Sequence, residues 1–234
     1  PFGRDLTNRI DVDKSSSRVS INLKNVSTRQ INILTKNLDS WLKNNTPSYM
    51  HARATGMSVI FSNIYSDNTK GMIKGTCVAL AFITLCLIIA LRSLRIGLLS
   101  VIPNVVPIAM TYGLWFFING YVGLGTASVA MSVIGIVVDD TVHFLTKYLR
   151  ARRDNLSPED SVRYTFKSVG SSLWTTSVVL TMGFSVLAFS GFMINKYIGM
   201  MFAMTIVIAL VADFLLLPAV LLYADRSATK DVRR

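Results

Sequence analysis

Five long apolar runs constrain the fold of this sequence more than any other feature. Each holds roughly 20 residues with few charges, which is the length of helix that crosses the hydrocarbon core of a bilayer. Composition agrees, because 51% of the residues are hydrophobic and 16% are charged, whereas soluble domains hold about 25% charged residues. We therefore predict an integral membrane protein with an all-α bundle. Its five transmembrane helices are expected near residues 72–91, 96–118, 121–146, 169–190 and 197–223.

The distribution of basic residues predicts the orientation of these spans. Most of the basic residues near the membrane belong to connections on one side: Arg92, Arg95, Lys147, Arg150, Arg152, Arg153, Arg163, Lys167, Arg226, Lys230, Arg233 and Arg234. The connections on the other side carry Lys196 as their single basic residue. By the positive-inside rule the basic side is cytoplasmic. This pattern explains the net charge of +11 without a nucleic-acid partner.

The polar segment before the first span predicts a small extracytoplasmic fragment with α+β structure. Val19, Ile21 and Leu23 alternate with polar residues, as in a half-buried strand. Ser27 and Gln30 have the spacing of a capping box, and the apolar periodicity after them predicts a helix that ends near residues 44–47. Residues 55–64 are predicted as a second strand. This order is typical of part of a ferredoxin-like domain of split βαβ type.

Three regions follow from these patterns. They are an extracytoplasmic fragment of residues 1–71, a transmembrane domain of residues 72–226 and a cytoplasmic tail of residues 227–234.

Two adjacent acids in the third predicted span, Asp139 and Asp140, are the main candidates for function, with His143 one turn later. Each Asp near the centre of a membrane helix costs about 2.5 to 3.5 kcal/mol on insertion scales. Burial disfavours the charged form of a carboxyl, and adjacent acids interact as they titrate. We therefore predict that these residues carry protons. In the alternative, the span ends near Val138, the acids begin the cytoplasmic loop, and His143 is an interfacial hydrogen-bonding residue.

Small and polar residues share one face of this helix. They recur at steps of three and four residues: Gly125, Ser128, Ser132, Gly135 and Asp139. Small residues let helices approach closely in lipid, so we expect this stripe to pack into the bundle and to aim Asp139 inward. Asp140 lies about 100° further round the helix, toward another partner.

Other polar residues in the spans extend the candidate proton path. Asp213 precedes Pro218 in the fifth span. It is either a second relay or a group that satisfies polar atoms where the proline interrupts the helix. Ser172, Thr175 and Thr176 in the fourth span are candidate hydroxyl partners of the acidic pair, although helix packing also explains them.

The sequence lacks the motifs of catalysis and of metal binding. It contains no nucleophile triad, phosphate loop or zinc motif. Its two cysteines, Cys77 and Cys86, lie within the first apolar run, where neither a disulfide framework nor a metal site is expected. We expect no enzyme activity, no metal and no cofactor, with protons as the coupling ion.

Three strings of residues resemble the RND (resistance-nodulation-division) superfamily, nearest its MMPL, Patched and Dispatched-like branches. They are GIVVDD in the third span, the acid in ALVADFLLLPAVLL and the string TGMSVIF before the first span. A Gly-x-x-x-Asp-Asp motif in the corresponding helix recurs in that superfamily, and it matches Gly135, Asp139 and Asp140. The resemblance covers essentially the whole chain.

The resemblance implies that the five spans correspond to helices eight to twelve of a twelve-helix transporter of the bacterial inner membrane. Proton flow through the acidic pair is then implied to drive export of lipids, other hydrophobic compounds or drugs. Implied partners are membrane lipids, the hydrophobic substrate and the missing N-terminal half, with a homo-oligomer as a further arrangement. In Patched-like relatives the same helices resemble a sterol-sensing bundle, so a lipid-binding regulatory module is the alternative.

Overall fold

The structure is a computed structural model that describes residues 10–11, 13, 15–24 and 26–231, with side chains described as far as residue 225. The chain divides into two compact units, Pro1–Ser66 and Asp67–Arg234.

The first unit contains helix α1, Thr28–Asn45, and the beginning of helix α2, Met57–Leu91. The predicted capping box begins α1. The Ser27 hydroxyl accepts a hydrogen bond from the Gln30 backbone N–H, and the Gln30 side chain accepts one from the Ser27 backbone N–H. The helix ends at Thr46, whose N–H donates to the Leu42 carbonyl. The predicted start and end of this helix are confirmed.

The two predicted strands of the first unit are wrong, and the ferredoxin-like fragment is not supported. Among its described residues the extended pairing is one isolated bridge, between Ile10 and Ser17. Val19 is 85% exposed, so the alternating residues have no second layer to bury them and form no ladder. Residues 57–64 are helical instead. Once the first span has formed a helix, each residue added at its start gains a backbone hydrogen bond, which favours extension over a separate strand.

The second unit and the end of the first together provide five helices that are long and apolar enough to cross a membrane, which confirms the predicted number. They are Met57–Leu91, Leu94–Asn119, Leu124–Arg153, Pro158–Leu187 and Met193–Asp225. Several extend well beyond the predicted runs. The apolar residues mark only the part of a helix that lies in hydrocarbon, whereas its backbone hydrogen bonds continue into polar sequence.

Two of these spans are interrupted. The second consists of α3, Leu94–Leu99, and α4, Val101–Asn119, which meet at Ser100. The fifth consists of α7, Met193–Val211, a π-helical segment, Ala212–Leu216, and α8, Leu217–Asp231. The remaining three spans are continuous: α2, Met57–Leu91, α5, Leu124–Arg153, and α6, Pro158–Leu187. The last residues of the predicted tail, 232–234, lie outside the described residues.

Helix α5 contributes residues to both apolar clusters of the second unit. Its first half places Val129, Val133 and Val137 against Met201 and Ile206 of α7. Its second half packs with α6 and α8, through these buried residues: Phe144, Leu145, Tyr148, Leu173, Leu217 and Leu221. The face of α5 that carries its large apolar side chains is therefore buried within this bundle.

Candidate functional site

The stripe of small residues on α5 packs closely within the bundle at its first residue, Gly125, where an added Cβ atom would lie 2.8 Å from the Ile194 side chain of α7. From Ser132 to Asp139 the stripe lies on the outer side of the bundle, which corrects the prediction for that part. Ser132, Gly135 and Asp139 are exposed, and Gly125 and Ser128 are half-buried. A Cβ atom placed on Gly135 would meet nothing within 4 Å. Spacing defines a face but does not determine what covers it. The opposite face carries large side chains that bury more area, and this bundle packs on that face.

Asp139 and His143 lie together on this outer face. The His143 Nε2 atom is 3.6 Å from the Asp139 Oδ1 atom, and the two side chains are 63% and 71% exposed, respectively. At that distance they form an ion pair only when the imidazole is protonated, rather than a tight hydrogen bond. The five helices alone thus leave this pair open to water, lipid or another protein surface.

Asp140 is half-buried and has a hydroxyl partner on α6. The Ser177 Oγ atom donates to the Asp140 Oδ2 atom at 3.3 Å, and Ser177 is 2% exposed. This serine was not among the predicted partners. Its signal was its spacing from Gly170 and Leu173, which share the buried face of α6 with it.

The predicted hydroxyl partners in the fourth span do not reach the acidic pair. Thr175 donates to the Ser171 carbonyl at 2.8 Å, and Thr176 donates to the Ser172 carbonyl at 3.0 Å. Ser172 is exposed on the same face. These threonine hydroxyls bond to their own helix, which is the usual way for a membrane helix to satisfy them.

Asp213 is the most deeply buried acid of the described residues, at 1% exposure. Its Oδ1 atom lies 3.1 Å from the Thr141 Oγ1 atom, which is also 2.9 Å from the Asn104 Oδ1 atom. The Asp213 Oδ2 atom is buried and has no hydrogen-bond partner among the described residues. Sequence reasoning missed Asn104 and Thr141, although an amide in an apolar span is itself a signal.

The π-helical segment positions Asp213. Leu217, directly before Pro218, donates its N–H to the carbonyl of Ala212, five residues back. This bonding pattern accommodates the proline and is often found at functional sites. The Asp213 side chain is hydrogen-bonded to a hydroxyl group, that of Thr141. The predicted alternative to a relay was that Asp213 satisfies backbone and hydroxyl groups, so this contact fits both predicted roles.

A separate polar cluster joins the last turns of α5 to α8. The Tyr148 hydroxyl donates to the Asp225 Oδ2 atom at 2.5 Å, and the Arg152 Nε atom lies 3.0 Å from the same oxygen. The cluster is far along α5 from the acidic pair, so we assign it to helix packing. Cys77 and Cys86 are free and exposed. Within the described part of the chain, no group of three or more His, Cys, Asp or Glu residues is placed to hold a metal ion.

The acids therefore differ in burial along one region of the bundle. Asp139 is exposed, Asp140 is half-buried, and Asp213 is enclosed between α4, α5 and the π-helical segment. Thr141 follows Asp140 directly in sequence and contacts Asp213. Such an arrangement can carry protons between an accessible carboxyl and an enclosed one, because each carboxyl can both donate and accept.

Comparison with known proteins agrees with this architecture. The MMPL family model matches residues 10–234. A membrane protein of Methanocaldococcus jannaschii is 21% identical over 159 residues, which cover 68% of this chain and 41% of that relative. The match thus spans about two fifths of the relative's length. Because the family model covers nearly all of the chain, including Gly135, Asp139 and Asp140, the chain belongs to the MMPL family.

Proposed function

We propose that this chain forms one half of a proton-driven exporter of lipids or other hydrophobic compounds in a bacterial inner membrane. Asp139 and Asp140 exchange protons, and His143 and Asp213 extend the path. The observation that carries the proposal is the gradient of burial from Asp139 through Asp140 to Asp213. Acids are rare in membrane helices, and those that occur usually mark ion or proton pathways.

The orientation follows from the basic connections. In this proposal the end of α5 that carries Arg150, Arg152 and Arg153 is cytoplasmic, and residues 1–71 are extracytoplasmic. Protons enter from outside and leave toward the cytoplasm through the acidic pair, while substrate moves outward.

The exposed stripe on α5 supports a partner half. Gly135 leaves open space above the helix, and small residues allow close helix contact in lipid. A helix of a second half packed on this face would enclose Asp139 and His143, which the five helices leave exposed. The partner is the other half of the transporter, and a second copy of this chain is the further arrangement.

Proton-dependent efflux of a hydrophobic dye from vesicles tests the proposal. Wild-type protein is compared with Asp139→Asn and Asp140→Asn at matched expression. Asp154→Asn is the control, because Asp154 is an exposed carboxyl at the end of α5. We expect each of the first two variants to lower efflux at least tenfold and the control to retain it. Unchanged efflux in both Asp139→Asn and Asp140→Asn would contradict the proposed proton-driven export.

The exposure of the Asp139 side chain favours a second candidate, a sterol-sensing-like module that binds lipid and regulates a partner. In such a module the outward pair is an interfacial cap with no transport role. The same variants distinguish this module from an exporter. A lipid-binding module should keep its lipid binding when the acids are replaced by asparagine, whereas an exporter should lose efflux with its fold intact.

A further inference from the structure

Asn104, Thr141 and Asp213 form a hydrogen-bonded network in the second unit. Asn104 and Thr141 have no role in the proton path proposed above. All three side chains are buried, with exposures of 1%, 0% and 1%, respectively. They come from three separate elements: α4, α5 and the π-helical segment. In a site enclosed this completely, each polar atom without a hydrogen-bond partner costs free energy.

The orientation of the Asn104 amide is fixed by its own helix. Its Nδ2 atom donates to the Ser100 carbonyl at 2.7 Å. A carbonyl oxygen can only accept, so the nitrogen of the amide must face Ser100 and the Oδ1 atom must face Thr141. Toward Thr141, Asn104 is therefore purely an acceptor.

Thr141 has one hydroxyl hydrogen and several acceptors within reach. They are Asn104 Oδ1 at 2.9 Å, Asp213 Oδ1 at 3.1 Å and its own-helix carbonyl of Val137 at 3.3 Å. When this hydrogen points to Asn104, the contact between Thr141 and Asp213 joins two oxygens and needs a hydrogen on Asp213. When it points to Asp213, the Asn104 oxygen is left without its donor.

The surroundings of Asp213 favour the form that carries this hydrogen. An ionised carboxylate has about four acceptor positions, and within the described part of the chain one donor, Thr141, lies within hydrogen-bond distance of this one. Its Oδ2 atom has no partner within the described residues. A buried charge with so few donors is far more costly than a neutral acid in the same place.

We propose that Asp213 holds a proton on Oδ1 and donates it to the Thr141 hydroxyl, which in turn donates to Asn104. Asn104 and Thr141 are thus positioning residues for a stored proton. When Asp213 loses the proton, the hydroxyl hydrogen of Thr141 turns to the carboxylate and Asn104 loses its donor. The inference rests on the proposed function only in taking protons as the ion that these helices bind.

Asp140 directly precedes Thr141 on α5, so its charge bears on any titration of Asp213. Tyr112 lies in the middle of α4, where its hydroxyl donates to the Thr126 carbonyl near the start of α5 at 2.6 Å. The remaining described titratable groups on these helices lie nearer the helix ends or on the outer face: Asp139, His143, Lys147, Tyr148, Arg150, Arg152 and Arg153 on α5, Lys196 and Tyr197 on α7, and Tyr223 and Asp225 on α8. A titration of Asp213 should therefore be read together with Asp140→Asn.

Infrared spectra of the whole protein in lipid nanodiscs, recorded against pH, test this inference. Subtracting the spectrum of Asp213→Asn from that of the wild type should reveal a protonated-carboxyl stretch at neutral pH. Thr141→Val removes the hydroxyl acceptor, so the stretch should move to higher frequency, and Thr141→Ser should return it. Thr205→Val is the matched control, since the Thr205 hydroxyl is equally buried but bonds only to the Met201 carbonyl of its own helix.

Asn104→Leu gives a second readout. Without the asparagine oxygen, the Thr141 hydroxyl can donate to the ionised Asp213 carboxylate without leaving another acceptor unpaired. The protonated-carboxyl stretch should therefore vanish at a pH lower by about half to one unit. A missing wild-type stretch at neutral pH, or a stretch that Thr141→Val leaves in place, would overturn the inference. These spectra do not depend on export. The infrared test of Asp213 and the efflux test of the proposed exporter can therefore fail independently of each other.

Discussion

The two faces of helix α5 behave in opposite ways. One face carries Val133, Val137 and Phe144 and is buried in the bundle. The other carries Gly135, Asp139 and His143 and is exposed. The difference teaches that bulky side chains determine the packing within five helices, whereas the small face gains nothing from that packing. The acids are divided accordingly, since Asp213 is enclosed by this bundle and Asp139 is exposed.

The largest expected effect comes from breaking the buried face. Phe144 is fully buried and meets Phe166 edge-on, with ring centroids 5.2 Å apart. Phe144→Ala should destabilise the fold by about 3 kcal/mol, at the low end for such cavities because lipid tails are themselves apolar. Denaturant unfolding in mixed micelles measures this cost. Phe117→Ala is the control, since Phe117 is 88% exposed and should cost little.

The exposed face should respond in transport rather than in stability. Gly135→Leu places a bulky side chain where this bundle leaves space, so unfolding should be unchanged or slightly harder because leucine favours helix over glycine. If a second half packs there, efflux should fall at least tenfold. Gly183→Leu is matched to it, since Gly183 is also an exposed helical residue, and a Cβ atom added to it would meet nothing within 4 Å. Equal losses in both variants would remove any special role for the Gly135 face.

The smallest expected effect concerns Asp140, which lies between the two faces. The Ser177 hydroxyl donates to its carboxyl and so stabilises the ionised form. In Ser177→Ala the acid should keep its proton to higher pH, and the pH profile of efflux should shift upward by about half to one unit. Ser171→Ala, on the exposed side of α6, should leave the profile in place. A profile unmoved by Ser177→Ala would show that this contact does not tune the exchange.

The sequence contained the number of spans, the capping box at Ser27 and the identity of the acidic motif, because each is a local property. Residues Val19 to Leu23 misled the strand prediction, since alternation forms a strand only where a second strand and a covering layer exist. The direction of the Asp139 face also could not be derived, because spacing defines a face and not its neighbour. The contact of Asn104 with Thr141 joins residues 37 positions apart, and no local pattern encodes such a pairing.

Coupling between export and proton movement is tested most directly in liposomes that contain the purified whole protein and an internal pH-sensitive dye. A gradient of hydrophobic substrate is imposed in the absence of any pH gradient, and the internal pH is followed. We expect the substrate gradient to drive proton movement in the wild type and in Asp154→Asn, and to drive none in Asp140→Asn. Proton movement of wild-type size in Asp140→Asn, or none in the wild type while substrate still crosses, would contradict a proton-driven exporter.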